Sequence, residues 1–186
     1  MMMQDIAMHI LDIGMNSIKA KADTVIITIQ NNVDASRRII TFEDNGCGMS
    51  EEDVIQAQNP FYTSRSTRKV GLGIPFIKAA AEMSGGCFSL NSKLNEGTVL
   101  KVEFDTSNID CPPLGNVADS IVSLMVFDES INLIFKYYWN NSLFEISTSQ
   151  IKMELEDVSM SEPAIQIWLT EYIGENIERL KKEEQS

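Results

Sequence analysis

Apolar side chains recur at Ile6, Ile10 and Ile13, with Ser17 continuing the line and Leu11, Met15, Ile18 and Ala22 beside it. This spacing of three and four predicts a helix over 4–20. The opposite stripe, Asp5, His9, Asp12, Asn16 and Lys19, reads as a polar face. The pattern then changes. Thr24 to Ile29 is an almost unbroken β-branched run and predicts a strand, and Arg37 to Glu43 predicts its hairpin partner across a turn at 30–36. Asp44 to Met49 is a glycine-rich loop, and Ser50 followed by Glu51, Glu52 and Asp53 caps a short helix.

Residues 57–71 show no period and read as a long loop. A helix is predicted from Gly71 to about Met83, with Pro75 in the first turn where proline is tolerated, and Gly85-Gly86 as its stop. Strands follow at about 87–92 and 98–105, joined by a turn around Asn95-Glu96-Gly97; Cys87 reads as a core residue. Cys111-Pro112-Pro113 is the best boundary in the chain. Beyond it come a helix over 114–126, a hairpin of 131–139 with 143–147 turning at Asn140-Asn141, and a last helix from Glu162-Pro163 to about Lys182. Strands neighbour each other in pairs instead of alternating with helices. The expected fold class is therefore α+β, a two-layer sandwich with helices on one face of a mixed sheet. Two units are expected, 1–106 and an acidic extension over 107–186 built of a helix, a β-hairpin and a terminal helix.

The chain has 186 residues, 44% hydrophobic and 23% charged, an ordinary globular composition that excludes disorder and repeat arrays. No apolar run reaches the roughly 18 residues of a membrane span. The start lacks the pattern of a secretory signal, and three widely spaced cysteines form no CxxC pair. A cytoplasmic protein is expected, with no membrane and no structural zinc. The net charge of −12 argues against a nucleic-acid partner. Its distribution is uneven. Residues 1–105 carry 10 Lys/Arg and 13 Asp/Glu, whereas residues 106–186 carry 5 and 14. No acid stands between Asp53 and Glu82, where Arg65, Arg68, Lys69 and Lys78 lie, so this cationic island is a plausible seat for an anion.

The chain contains neither GxxxxGK[ST] nor GxGxxG, which argues against a P-loop and a Rossmann site. Each shorter glycine pair alone is weak evidence, since two glycines often only make a turn. Their surroundings add weight. Asp12 and Asn16 share a helix face, Asp44 ends a strand before Gly46 and Gly48, and Gly71 and Gly73 open a helix whose free N–H groups favour phosphate.

Together these segments resemble the GHKL superfamily of ATP-binding domains (gyrase B, Hsp90, histidine kinases and MutL). Asp12 to Ala22 resembles the N-box. Asp44 to Met49 and Lys69 to Ile74 resemble the two glycine boxes, and Gly97-Thr98 resembles the last box, all in the family's order. The stretch Pro60 to Pro75, with Asp110 to Gly115, further resembles small stand-alone bacterial kinase-like proteins, some encoded beside iron-only hydrogenases. The resemblance implies a Bergerat-type fold and a site for ATP with Mg²⁺. Asn16 would ligate the metal. Asp44 would accept a hydrogen bond from the adenine amino group, Gly46 and Gly48 would admit the base, and Met49 would line its pocket. Val70, Gly71, Leu72 and Gly73 would contact phosphate, Thr98 would reach adenine, and Arg65, Arg68 and Lys69 would neutralise the γ-phosphate from a lid.

Asp12 falls where many relatives carry a glutamate base, and aspartate is one methylene shorter, which bears on hydrolysis more than on binding. Lys69 stands where many second boxes begin with glycine. His9, the sole histidine, does not resemble a phosphoacceptor and is expected on the polar face; Cys47 is expected to pack as a small side chain. The implied function is a kinase-like or slow ATPase regulator of a partner protein. The alternative is a non-catalytic, ATP-dependent switch, and the resemblance also admits a homodimer.

Overall fold

A computed structural model describes residues 5–60, 72–156 and 158–183. Helix α1 (Ile6–Lys19) is capped by Asp5, whose carboxylate accepts from Met8 N at 2.9 Å. Strands β1 (Thr24–Asn32) and β2 (Arg37–Asp44) follow, then α2 (Glu51–Ala57), where Ser50 and Asp53 form the reciprocal cap that their spacing predicts. Next come α3 (Gly73–Met83), β3 (Cys87–Lys93) and β4 (Gly97–Asp105). The chain continues through α4 (Val117–Phe127), β5 (Asn132–Trp139), β6 (Ser142–Ser147), α5 (Thr148–Leu155) and α6 (Pro163–Glu183).

The six strands form one mixed sheet in the order β3-β4-β2-β1-β5-β6. Four neighbour pairs are antiparallel; β1 and β5 are parallel, Thr24 aligning with Asn132. The α+β class and the mixed sheet are as the sequence predicts. The 107–186 segment does not form a sheet of its own, because its hairpin continues the sheet beyond β1.

Strand alternation sends Val25, Ile27 and Ile29 of β1, Ile40 and Phe42 of β2, Val102 and Phe104 of β4, and Leu133, Phe135 and Tyr137 of β5 to one face. There they meet Ile6, Ile10 and Ile13 of α1, Ile74 and Ile77 of α3, Ile121 and Leu124 of α4, and Leu169 and Ile173 of α6. Each such side chain fully withdrawn from water contributes about 1.5–3 kcal/mol. The loop before α4 is tied to the start of α1, with Ile6 N and Ala7 N donating to Pro113 O and Leu114 O. These bonds use two N–H groups that a helix start leaves free.

Several expectations need correction. Cys87 is exposed, not core. Its strand is a sheet edge, and its partner Glu103 lies on the face away from the helices, so the alternation turns Cys87 outward with Ser89 and Asn91. His9 is only 2% exposed instead of solvated; it lies on the flank of α1 that carries Asp12 and meets the start of α3, while α4 packs along Ala7 and Gly14. Strand β1 runs to Asn32, into the expected turn, because Asn31 and Asn32 pair with Arg38 and Arg37. Residues 114–116 are not helical, Gly115 having φ +73, so α4 starts later than the apolar pattern suggests. Helix α5 is not among the predicted elements; its start is fixed by a reciprocal Ser147–Gln150 cap that the apolar period does not report. Tyr137 is fully buried, and burial pushes its phenol up to about 12. Among the described residues, no helix is long and apolar enough to cross a membrane.

Candidate functional site

A cavity of about 720 Å³ opens where the C-terminal half of α1 meets the ends of β2 and β4. Its apolar walls are Ile13, Phe42, Met49, Ile74 and Leu100. The polar groups on it are few: Asn16 and Ser17 from α1, Asp44 at the end of β2, Thr98 from β4, and the two lysines Lys19 and Lys21. A largely apolar hollow with a few convergent polar groups is the usual form of a small-molecule site.

Asp44 is held on both oxygens. Ser17 Oγ donates to Oδ2 at 2.7 Å and Gly46 N donates to Oδ1 at 3.0 Å. The carboxylate is therefore oriented before any ligand arrives. Asn45 secures the loop behind it by accepting from Asp23 N and Thr24 N, both at 2.9 Å. Cys47 N donates to Ala20 O at 2.9 Å, and Cys47 O accepts from Asn95 N at 2.8 Å, so the glycine loop is pinned between α1 and the β3–β4 turn. Gly48 has φ +62, and a Cβ there would fall 1.9 Å from Lys93 O. Both the backbone angle and the contact demand glycine.

Ser92 links the loop to β4. Its hydroxyl accepts from Met49 N at 2.9 Å and donates to Gly97 O at 2.9 Å. Thr98 Oγ1 lies 2.8 Å away. Ser92 has one proton and the carbonyl can only accept, so Thr98 is the donor in that pair and keeps its lone pairs for a ligand.

Asp12 does not line the cavity. It sits one turn before Asn16 with its carboxylate against the start of α3, where a Cβ on Gly73 would meet Oδ2 at 1.9 Å. Asp12 is thus brought to the end of the second glycine box, which the sequence places some sixty residues away. Leu72, the N-cap of α3, is exposed at 46% and makes no side-chain cap, so the first turn of that helix has no side-chain acceptor there. Arg65, Arg68, Lys69, Val70 and Gly71 lie outside the described residues. Gly46 does not line the cavity; Ala20 O lies 2.8 Å and Asp44 Oδ1 3.1 Å from the place of its missing Cβ.

Burial lowers the pKa of His9, against the opposing pull of Asp12 and Asp5, and its Nδ1 is buried without a hydrogen-bond partner. The imidazole is a neutral neighbour to Asp12, three residues on, at neutral pH. Sequence reading did not mark Ser17, Ser92 or the two lysines as site residues. Ser17 gave a signal, since it is the hydroxyl that continues the apolar line of α1. Lys21 gave none in the sequence; in the structure it leaves the helix with φ +58 and turns to the cavity. Both cations stand at the negative end of the α1 dipole.

Comparison with known proteins follows the same elements. Residues 4–108 match the model of the family described as histidine kinase-, DNA gyrase B- and HSP90-like ATPases. The chain belongs to this family. The matched span runs from the start of α1 past the end of β4 and so contains every element of the cavity. Among curated relatives of the family, sporulation kinase C of Bacillus subtilis (strain 168) is 29% identical over 92 residues, half of this chain. The signal transduction histidine-protein kinase ArlS of Staphylococcus aureus (strain USA300) is 30% identical over 94 residues, 48% of this chain. The matches take in 21% of each relative's own length. A crystal structure of the N-terminal domain of a DNA repair protein superposes with TM-score 0.57 at 13% identity, covering 77% of this chain and 52% of that one. At that identity the likeness is one of fold.

Proposed function

We infer that this chain binds ATP with Mg²⁺ in the cavity and uses it as a kinase-like or slow ATPase regulator of a partner protein. The observation that carries the reading is the orientation of Asp44 by Ser17 and Gly46 at the edge of an apolar hollow. A fixed acceptor beside Phe42, Met49 and Leu100 suits a flat base with an exocyclic amino group, which adenine has and guanine lacks at the same position. Asn16, Lys19 and Lys21 suit the charged end. Asn16 offers one neutral oxygen for Mg²⁺, an ion that takes few protein ligands when phosphates supply the rest. The N–H groups of Leu72 and Gly73 at the start of α3 suit phosphate, and Gly71, Val70, Lys69, Arg68 and Arg65 would extend that contact.

In this reading Asp12 would accept the proton of the attacking group as the γ-phosphoryl passes in line to water or to a partner's side chain, the bond to the β-phosphate oxygen breaks and ADP leaves. Thr98 would accept from the base or from a water beside it. The nucleotide belongs to 1–106 and partner recognition to 107–186, with the shared sheet joining the two. The likeness to stand-alone kinase-like proteins near hydrogenases supplies no partner by itself.

Calorimetric titration with ATP, ADP and GTP, in Mg²⁺ and in EDTA, tests the site. Adenine-selective, Mg²⁺-dependent binding that is lost in Asp44→Asn and Asn16→Ala is expected. A folded protein that binds none of the three would sink the reading.

A non-catalytic switch is the second reading, and the position of Asp12 favours giving it a hearing, since its short carboxylate lies against Gly73 and not on the cavity wall. Asp12→Asn separates the two. It should abolish turnover under the first, whereas under the second there is no turnover to lose and partner binding is unchanged.

A further inference from the structure

Helix α6 buries Leu169, Ile173, Ile177 and Leu180 against the molecule. Its outer side carries a second seam at spacings of three and four: Ala164, Ile167, Trp168, Glu171, Tyr172 and Glu175. Ile167 is 61% exposed, Trp168 47% and Tyr172 41%. Large apolar side chains in a contiguous exposed row on one helix mark an interaction surface more often than isolated ones do.

The row is also preformed. Trp168 stacks on Tyr172 with ring centroids 5.4 Å apart and planes at 18°. Tyr172 meets Phe144 edge-on at 5.9 Å, and Phe144 meets Phe135 at 6.5 Å. This ladder of rings runs from the surface into the core. Aromatic anchors fixed in this way lose little side-chain freedom on binding, and Trp and Tyr are enriched among the residues that dominate interfaces. Gly174 lies beside the row, and a Cβ there would meet nothing within 4 Å. Packing within the chain does not require glycine here, although glycine weakens a helix interior. It leaves a notch into which a second backbone can settle.

Charge selects the occupant. Glu162, Glu171 and Glu175 form no ion pair among the described residues, while Glu178 pairs with Lys181 at 2.6 Å and Arg179 with Glu183 at 3.7 Å. The segment beyond residue 105 holds 14 acids against 5 bases. A second copy of this chain would set Glu171 and Glu175 against their equals, and an anionic bilayer would be repelled. We propose that this face docks a basic amphipathic helix of a partner protein, with its apolar residues on Ile167, Trp168 and Tyr172 and its Lys or Arg residues against Glu171 and Glu175. This names the class of partner for the regulatory role, and its test does not involve nucleotide.

The probe is a synthetic helical peptide of leucine and lysine with one apolar face, titrated calorimetrically against the full chain. The same peptide with glutamate for lysine is the control. The lysine peptide should bind and the glutamate peptide should not. Glu171→Lys/Glu175→Lys, and separately Trp168→Ala/Tyr172→Ala, should each weaken binding about tenfold or more. Glu51→Lys/Glu52→Lys, the same charge change on α2, should leave it unchanged. Circular dichroism melting shows that each variant is folded, and the substitutions of exposed glutamates carry the test if the aromatic pair alters stability. Three outcomes would overturn the proposal: no binding of the lysine peptide, equal loss in the α2 variant, or a dimer in sedimentation that Trp168→Ala dissolves. Failure of ATP binding would overturn the nucleotide reading alone and leave this result standing.

Discussion

Ser17 Oγ and Asp44 Oδ2 lie 2.7 Å apart, joining the first helix to the end of the second strand. The serine occupies a core-facing position of α1 and is 5% exposed, so its hydroxyl replaces an apolar contact with an oriented donor. A hydrogen bond to a charged group contributes about 1.5–3 kcal/mol. Ser17→Ala should therefore weaken ATP and adenosine binding alike, by about tenfold, because the defect lies at the base. Calorimetry with both ligands checks this; a loss confined to ATP would place Asp44 elsewhere than at adenine.

Two glycines should respond in opposite directions to the same methyl group. In Gly48→Ala the new Cβ meets Lys93 O and the residue keeps a left-handed φ, so backbone strain alone costs about 1–3 kcal/mol. In Gly174→Ala the methyl group meets nothing and the helix gains about 1 kcal/mol. Denaturant unfolding of the two variants should show one midpoint falling and the other rising.

The two lysines on the cavity should distinguish ligands by charge. Lys19→Ala and Lys21→Ala remove cations but leave the apolar walls and Asp44 in place. Affinity for ATP should fall several-fold and affinity for adenosine should hold. The difference should shrink as salt is raised, since screening weakens partly exposed charge pairs. Equal effects on both ligands would mean that neither lysine faces the phosphates.

His9 sets a pH window for stability. Its folded pKa lies below 6.5 because burial disfavours the imidazolium. As pH falls below about 6.5 the unfolded chain takes up a proton that the folded chain refuses, so stability declines with falling pH until the folded pKa is reached. Above 6.5 both states are neutral and the term vanishes. Glu129 behaves differently in range. Its carboxylate accepts from Ser159 Oγ, Ser161 N and Ser161 Oγ, which hold its pKa below the usual 4.5. Its contribution is full above that value and is lost as pH falls through the lowered one. Urea titrations between pH 7.5 and 5 should show a slope in the native protein that His9→Leu removes.

The site was legible in the sequence where chemistry and backbone agree. Asp44-Asn45-Gly46 reads as a turn and also holds the cavity-lining carboxylate, and Asn16 lies a helical turn from Asp12. What stayed hidden depends on distant chain segments. Ser92 reads as one polar residue in a strand, and only the hairpin register sets its hydroxyl among Met49, Gly97 and Thr98. His9 sits in a polar stripe and becomes buried only in the tertiary fold, on the flank of α1 that meets α3. Cys87 is apolar by composition, yet edge position and strand alternation turn it outward. Helix α5 follows from a cap and not from an apolar period, so a pattern of burial could not find it.

The parallel pairing of β1 with β5 also shapes how the chain must reach this state. Asn31 Nδ2 donates to Tyr138 O across 107 residues of sequence. During synthesis β1 emerges early and can pair at once with β2 on one side. Its other edge, flanked by buried isoleucines, stays open until β5 has left the ribosome. Contacts of such separation slow folding, and an unpaired apolar strand is a template for association with other chains. A truncation ending near residue 106 would keep every residue of the cavity and yet make that open edge permanent. Expression of the nucleotide half alone should therefore yield aggregates, while the whole chain passes through the same exposure only briefly.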